Sequence, residues 1–216
     1  MPKTALIEHR PWLLASVIAA CAYYFLWNNP IGELYLIILK GAGVGLLAVY
    51  AFRRTSGIDG AILVVALALS AAADMVLVLD MRAGGALFAA SHLAAILLYL
   101  RNRRETTSAS QKMLAIVLLI GAPAISYLVS QDPLIAIYAV TLGAMAAAAW
   151  ISRFPRYRVG IGAVLFVVSD WLIFSELGPI DLSPLPSILI WPLYFAGQLM
   201  IATGVVQTLR GERPTK

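Results

Sequence analysis

The stretch IDGAILVVALALSAAADMVLVLD, residues 58–80, carries only three charged side chains, Asp59, Asp74 and Asp80. At ~1.5 Å per residue it makes a helix of about 35 Å, enough to cross a hydrocarbon layer of about 30 Å. It shows no alternation of period two. Lipid offers backbone groups no outside partner, so such a stretch must satisfy its hydrogen bonds internally, as a helix. Asp59 and Asp80 stand at its ends, where water is within reach. Asp74 does not.

Working outward from this segment, apolar runs bounded by charges or by Pro and Gly predict further helices over 12–28, 33–52, 84–100, 112–130, 133–152, 159–177 and 187–209. With 58–80 they make eight, joined by short connections that leave no room for a soluble domain. The 216 residues thus form one all-α membrane domain, a polytopic transmembrane helix bundle. Composition agrees, with 61% hydrophobic residues, 12% charged ones and a mean hydropathy of +0.86. A soluble domain of this size carries about 25% charged residues to cover its surface. One Cys and no polar low-complexity tract exclude a disulfide scaffold and a disordered chain. The context Ile18-Ala19-Ala20-Cys21 is similar to a lipobox, but the run containing it reads as the first span.

The basic residues set a direction. Lys3 and Arg10, Arg53 and Arg54, Arg101, Arg103, Arg104 and Lys112, Arg153, Arg156 and Arg158, and Arg210, Arg213 and Lys216 all fall on one side of an eight-helix chain. They are 14 of the 16 basic residues. The positive-inside rule therefore puts both termini in the cytoplasm. The net charge of +5 follows from this topology and suits contact with anionic lipid headgroups, not nucleic acid. Trp12, Trp27, Trp171 and Trp191 read as interfacial anchors near span ends, and Pro123, Pro133, Pro155 and Pro192 read as lying mostly toward span ends.

A charged group at the bilayer centre costs about 2.5–3.5 kcal/mol on insertion scales, so each one kept inside a span is a candidate functional residue. Lys40, Asp74 and Asp170 are such residues, and His92, Tyr194 and Gln198 are polar companions. Asp74 and Asp170 each stand six residues before an acidic span end, Asp80 and Glu176, at about 9 Å of depth. The matched spacing suggests a parallel repeat of helices 1–4 and 5–8, with Phe88-x3-His92 and Tyr194-x3-Gln198 as counterparts. Gly41-x3-Gly45, Ala71 to Ala73 and Gly143 to Ala149 permit close helix approach. Lys40 can also be a structural ion-pair partner of the two acids, and His92, Tyr194 and Gln198 can be interhelical hydrogen-bonding residues. A lone His does not make a zinc site, so neither metal nor cofactor is expected.

Ser70-Ala71-Ala72-Ala73-Asp74-Met75-Val76-Leu77, Phe88-x3-His92, Gly162-Ala163-x2-Phe166-x2-Ser169-Asp170 and Tyr194-x3-Gln198 resemble the YhhN-type lysoplasmalogenase family of integral membrane proteins. Lys40 and Tyr138-x6-Met145 match its pattern too, while Ala73 stands where that family usually has Gly, Gly41 where it has Pro, and no aromatic follows His92 before Tyr99. The resemblance implies hydrolysis of the vinyl ether bond of lysoplasmalogens, with a lysophospholipid as substrate and membrane lipids as surroundings. It implies a multi-pass protein of the bacterial inner membrane. Asp74 and Asp170 would be the catalytic carboxylates, with Lys40, His92, Tyr138, Ser169, Tyr194 and Gln198 binding substrate or supporting the site.

The chemistry of these residue types fits that expectation. A vinyl ether is cleaved by protonating its β-carbon to an oxocarbenium ion, which water captures as a hemiacetal. Two neighbouring carboxylates in a low-dielectric site do not both ionise cheaply, so one holds a proton while the other stays charged. Glycosidases meet oxocarbenium-like transition states with the same two roles. A small transporter coupling proton or solute movement to the same carboxylates is the alternative, and an intramembrane aspartyl peptidase is disfavoured because Asp74 lacks a Gly-x-Gly-Asp context.

Overall fold

The computed structural model describes residues 10–211, so Lys3, Arg213 and Lys216 lie outside the described residues. Eight α-helices run through the described residues: α1 (Arg10–Leu26), α2 (Glu33–Arg54), α3 (Gly57–Leu79), α4 (Met81–Arg101), α5 (Ala109–Ser130), α6 (Pro133–Ile151), α7 (Ile161–Glu176) and α8 (Leu185–Gly211). Seven helical segments, α2 to α6, Arg156–Glu176 and α8, are long and apolar enough to cross a membrane. α1, at 17 residues, stands at the lower limit of spanning length. The helices are apolar on their outer faces as well. In α5, Ile116, Val117 and Ile120 are each more than half exposed, whereas Ala115, Leu118 and Ala122 are buried. That surface suits lipid and not water.

The helix ends have local causes. Asp80 is the single residue between α3 and α4, and its carboxylate accepts from the amides of Arg82 and Ala83 at 2.8 and 3.0 Å. Ser108 and Gln111 form a reciprocal capping box on α5. α5 stops at Gln131 in a left-handed conformation (φ 57°), and Asp132 caps α6, with Pro133 in its first turn, where no amide donor is needed. A π-helical turn over Arg156–Gly160 precedes α7, where the sequence reads as α-helix from 159. Gly160 there lies on the Trp150 ring, which a Cβ would overlap.

The chain forms two compact units, with boundaries inside α4 and α8. The first takes the described residues up to Ser91 together with those from Val206 onward, and the second runs His92–Val205. In the first unit, Ser16 of α1 donates to the Gly43 carbonyl of α2, and Gly41 brings α2 so near α3 that a Cβ would strike Met75. The Ser70 and Ser91 hydroxyls join at 2.8 Å, and Ser91 donates to the Ala66 carbonyl, which pins α4 to α3 one turn from Asp74.

In the second unit, Gly143 of α6 presses on the Leu118 and Leu119 carbonyls of α5. Leu119 is the residue whose helical donor Pro123 removes. α7 and α8 cross backbone to backbone, since a Cβ on Gly197 would lie 2.6 Å from the Gly162 carbonyl oxygen, and one on Gly162 2.7 Å from that of Gly197. Beyond α6, Arg153 returns to Asn102: its amide donates to the Asn102 carbonyl and its Nε to Oδ1, at 2.8 and 2.7 Å.

Two sequence expectations are corrected here. Trp171 and Trp191 turn toward neighbouring side chains and backbone, not outward as interfacial anchors: half-buried Trp171 donates from Nε1 to the Ala122 carbonyl of α5, and buried Trp191 stacks on Phe195. An aromatic near a span end can turn inward when a neighbouring helix offers a ring or a carbonyl. Pro123 and Pro192 lie inside α5 and α8, not toward their ends. Lipid tolerates this because neighbouring helices re-satisfy the backbone groups that proline frees.

Candidate active site

Buried residues of α3 recur as Gly60, Leu63, Leu67, Ser70, Ala71 and Asp74, the spacing of one helical face. Asp74 is therefore turned inward, 2% exposed, six residues before Asp80. Lys40 of α2 is half-buried in the same unit, its ammonium 5.9 Å from the centre of the Tyr23 ring of α1. Asp74 is within electrostatic reach of Tyr23. The first unit thus gathers Tyr23, Lys40 and Asp74. Sequence reasoning missed Tyr23, because a tyrosine near a span end carries no cost that would single it out.

The second unit holds the other candidates. On α7, Gly162, Phe166 and Asp170 are spaced by four and share a stripe, and on α8 Tyr194 shares a face with Gly197 and Gln198, three and four residues on. The Gly162–Gly197 crossing brings the two stripes together and sets Phe166 edge-on to Tyr194 at 5.1 Å. Asp170, Tyr194 and Gln198 are each no more than 5% exposed. Ser169, one residue before Asp170, donates to the Ile190 carbonyl at 2.9 Å, a further tie between α7 and α8.

Asp170 receives a hydrogen bond from α6: the Tyr138 hydroxyl donates to its Oδ2 at 2.8 Å. An ionised carboxylate is an acceptor only, so the donor suits the charged form. Three residues on, Thr141 donates to the Tyr138 carbonyl at 2.8 Å, and its oxygen meets Nδ1 of His92 at 3.2 Å. Thr141 has one proton and has spent it. Nδ1 of His92 is therefore the donor in that contact, which assigns the tautomer and leaves Nε2 of the neutral ring as acceptor. His92 is 1% exposed, its ring 5.5 Å from that of Tyr138 and 5.2 Å from that of Phe166.

The structure thus joins His92, Tyr138, Asp170 and Tyr194 in one polar and aromatic cluster, with Ser169 and Gln198 on the same helices. Thr141 was not legible in advance, since its weak polarity hardly registers in a span, although its place three residues after Tyr138 puts it on the same face. A carboxylate held by a phenol and an imidazole fixed as a single tautomer are the parts needed to orient a water and take its proton.

Among proteins already grouped by sequence, the model described as the YhhN family matches residues 35–205. No curated protein matches the chain, and no solved structure does.

Proposed function

The chain belongs to the YhhN family, and on that premise we propose that it is an integral membrane hydrolase of lysoplasmalogens, cleaving their vinyl ether bond to a fatty aldehyde and a glycerophospho-base. Its setting is a bacterial inner membrane, with both termini cytoplasmic and a single-chain ether lysophospholipid entering from the lipid. The observation that carries this reading is the Tyr138 hydrogen bond to Asp170 deep in an apolar span.

That bond supports unlike roles for the two acids. Asp170, held by a phenol, is the anion that steadies the oxocarbenium ion and accepts a proton from the attacking water. Asp74 is the acid that protonates the β-carbon. Water then adds to the cationic carbon, and the hemiacetal collapses as its hydroxyl proton passes to the departing glycerol oxygen; Asp170 releases the proton it took from the water and Asp74 is reprotonated, so one water is consumed for each aldehyde released and both acids return to their starting forms. His92, Tyr194 and Gln198 position the water and the ether oxygen, and Lys40 meets the polar part of the substrate or favours the ionised carboxylate. The reading is tested with detergent-purified protein offered vinyl ether and matched ester lysolipids. Aldehyde is expected from the first only, and its absence from every vinyl ether lysolipid would overturn the assignment.

Thr141 is a positioning residue in this scheme. Thr141→Val removes the acceptor for His92 Nδ1, and aldehyde release is expected to fall about tenfold, in keeping with one neutral hydrogen bond. Thr141→Ser keeps the oxygen and should restore the rate. A Val variant as active as wild type would remove Thr141 from the account.

A transporter using the same carboxylates is the second reading, and Pro192 inside α8, two residues before Tyr194, favours it. Proton or solute flux in proteoliposomes, abolished by Asp170→Asn and accompanied by no aldehyde release, would establish it instead.

A further inference from the structure

The α4–α5 and α6–α7 connections are tied to each other by their main chains. Arg103 and Ser152 form an antiparallel bridge, and beside it the Arg104 amide donates to the Ile151 carbonyl at 3.1 Å. On the other side Arg153 holds Asn102 through its amide and its Nε. Asn102 is itself anchored: it is 4% exposed, and its Nδ2 donates to the Leu98 carbonyl at 2.9 Å. Buried Ser152 donates to the Ala149 carbonyl, and the ring of buried Phe154 stands edge-on to that of Tyr99. Gly204 of α8 comes so near Val159 that a Cβ would overlap its side chain. The two connections thus make one ribbon with buried supports.

This ribbon gathers charge of one sign. Arg101, Arg103, Arg104, Arg153, Arg156 and Arg158 fall within residues 101–112 and 151–160, together with Lys112, and Glu105 is the only acid in those stretches. Arg101, Arg103, Arg153 and Arg158 are exposed, and Arg104 and Arg156 are half-buried. Main-chain bonds that keep these cations side by side leave a repulsion that an anion relieves. The border of the patch is apolar and open. Leu97, Leu100, Met113 and Tyr157 are each more than half exposed, and the Arg156 guanidinium lies 5.0 Å from the centre of the Tyr157 ring. An acidic protein would match the charge alone. A phospholipid matches both features, with its phosphate on the guanidinium forks and its acyl chains on the apolar border.

We propose that this arginine ribbon is a binding surface for anionic phospholipid, whose phosphate charge no headgroup amine offsets, in the leaflet that it faces. The positive-inside rule makes that leaflet the cytoplasmic one. The ribbon is remote from the candidate active site, since Tyr138 and Ile151 of α6 are about 20 Å apart along the helix axis. The proposal does not rest on the hydrolase reading: the lipid is held at the ribbon and is not a substrate.

The test titrates the full chain, purified in an uncharged detergent, with phosphatidylglycerol or with phosphatidylcholine of the same acyl chains, and reads bound lipid by native mass spectrometry. Wild type is expected to bind phosphatidylglycerol about tenfold more tightly, a preference that shrinks as salt is raised. Arg103→Gln with Arg156→Gln should reduce the ratio to about twofold or less. Arg103→Gln alone, which removes an exposed side chain and leaves the main-chain bridge, should lose part of it. Arg53→Gln with Arg82→Gln removes as much charge outside the ribbon and should keep the full preference. Equal binding of the two lipids by wild type overturns the proposal, as does an equal loss in both double variants, which would make net charge the cause. Displacement of the lipid by glycerol phosphate also overturns it, by marking the ribbon as a site for soluble anions.

Discussion

Asp170→Asn is expected to lower aldehyde release from a vinyl ether lysolipid by two to four orders of magnitude, the range that one acid–base group contributes. Asn preserves the shape of the side chain and its contact with Tyr138 but has no negative charge to set against an oxocarbenium ion. Asp74→Asn should cost as much, for the opposite reason: it has no carboxyl proton to give. Both variants are expected to melt no lower than wild type, because each removes an ionisable group that the membrane interior penalises. Activity lost with stability kept is the signature of a residue retained for function, and loss of both together would mark Asp170 as structural. Tyr138→Phe, which keeps the ring against His92 and Phe174 and removes only the donor, should fall between, about ten- to a hundredfold down.

The second large effect is on stability. Gly197→Ala places a methyl group 2.6 Å from the Gly162 carbonyl oxygen, a contact that only separation of α7 from α8 can relieve. Overpacking of this kind costs about 1–3 kcal/mol, and here backbone stands on both sides, so the upper figure applies. The edge-on contact of Phe166 with Tyr194 would be lost with the crossing. Gly121→Ala makes the same chemical change where nothing lies within 4 Å, and should be neutral or stabilising by up to about 1 kcal/mol. Melting curves of the two variants in one detergent compare them directly. Equal melting temperatures would refute the close crossing.

The helices were legible in the sequence because lipid leaves a spanning segment a single option, and charges mark where lipid ends. The same rule exposed Asp74 and Asp170, since a costly residue inside a span stands out by its cost. Hydropathy says nothing of how a helix is rotated about its axis. That is why Trp171 and Trp191, read as anchors, turn inward, and why Thr141 and Tyr23 went unseen until their partners were in place. Proline was misread for a related reason: Pro123 and Pro192 look like boundaries in a list of residues, but inside a membrane protein a carbonyl left by proline can be covered by the next helix. The π-helical turn at Arg156–Gly160 has no sequence signal; it is where Gly160 lies against the Trp150 ring, a contact that leaves no room for a Cβ.

The central claim is protonation of a vinyl ether carbon, and isotope labelling tests it most directly. Purified protein is given a vinyl ether lysolipid in D₂O, and the released aldehyde is analysed by mass spectrometry. The expected product carries one deuterium on the carbon next to the aldehyde group, delivered by the acid, and it is missing in Asp74→Asn and Asp170→Asn. No aldehyde, or an aldehyde without deuterium at that carbon, would contradict the account.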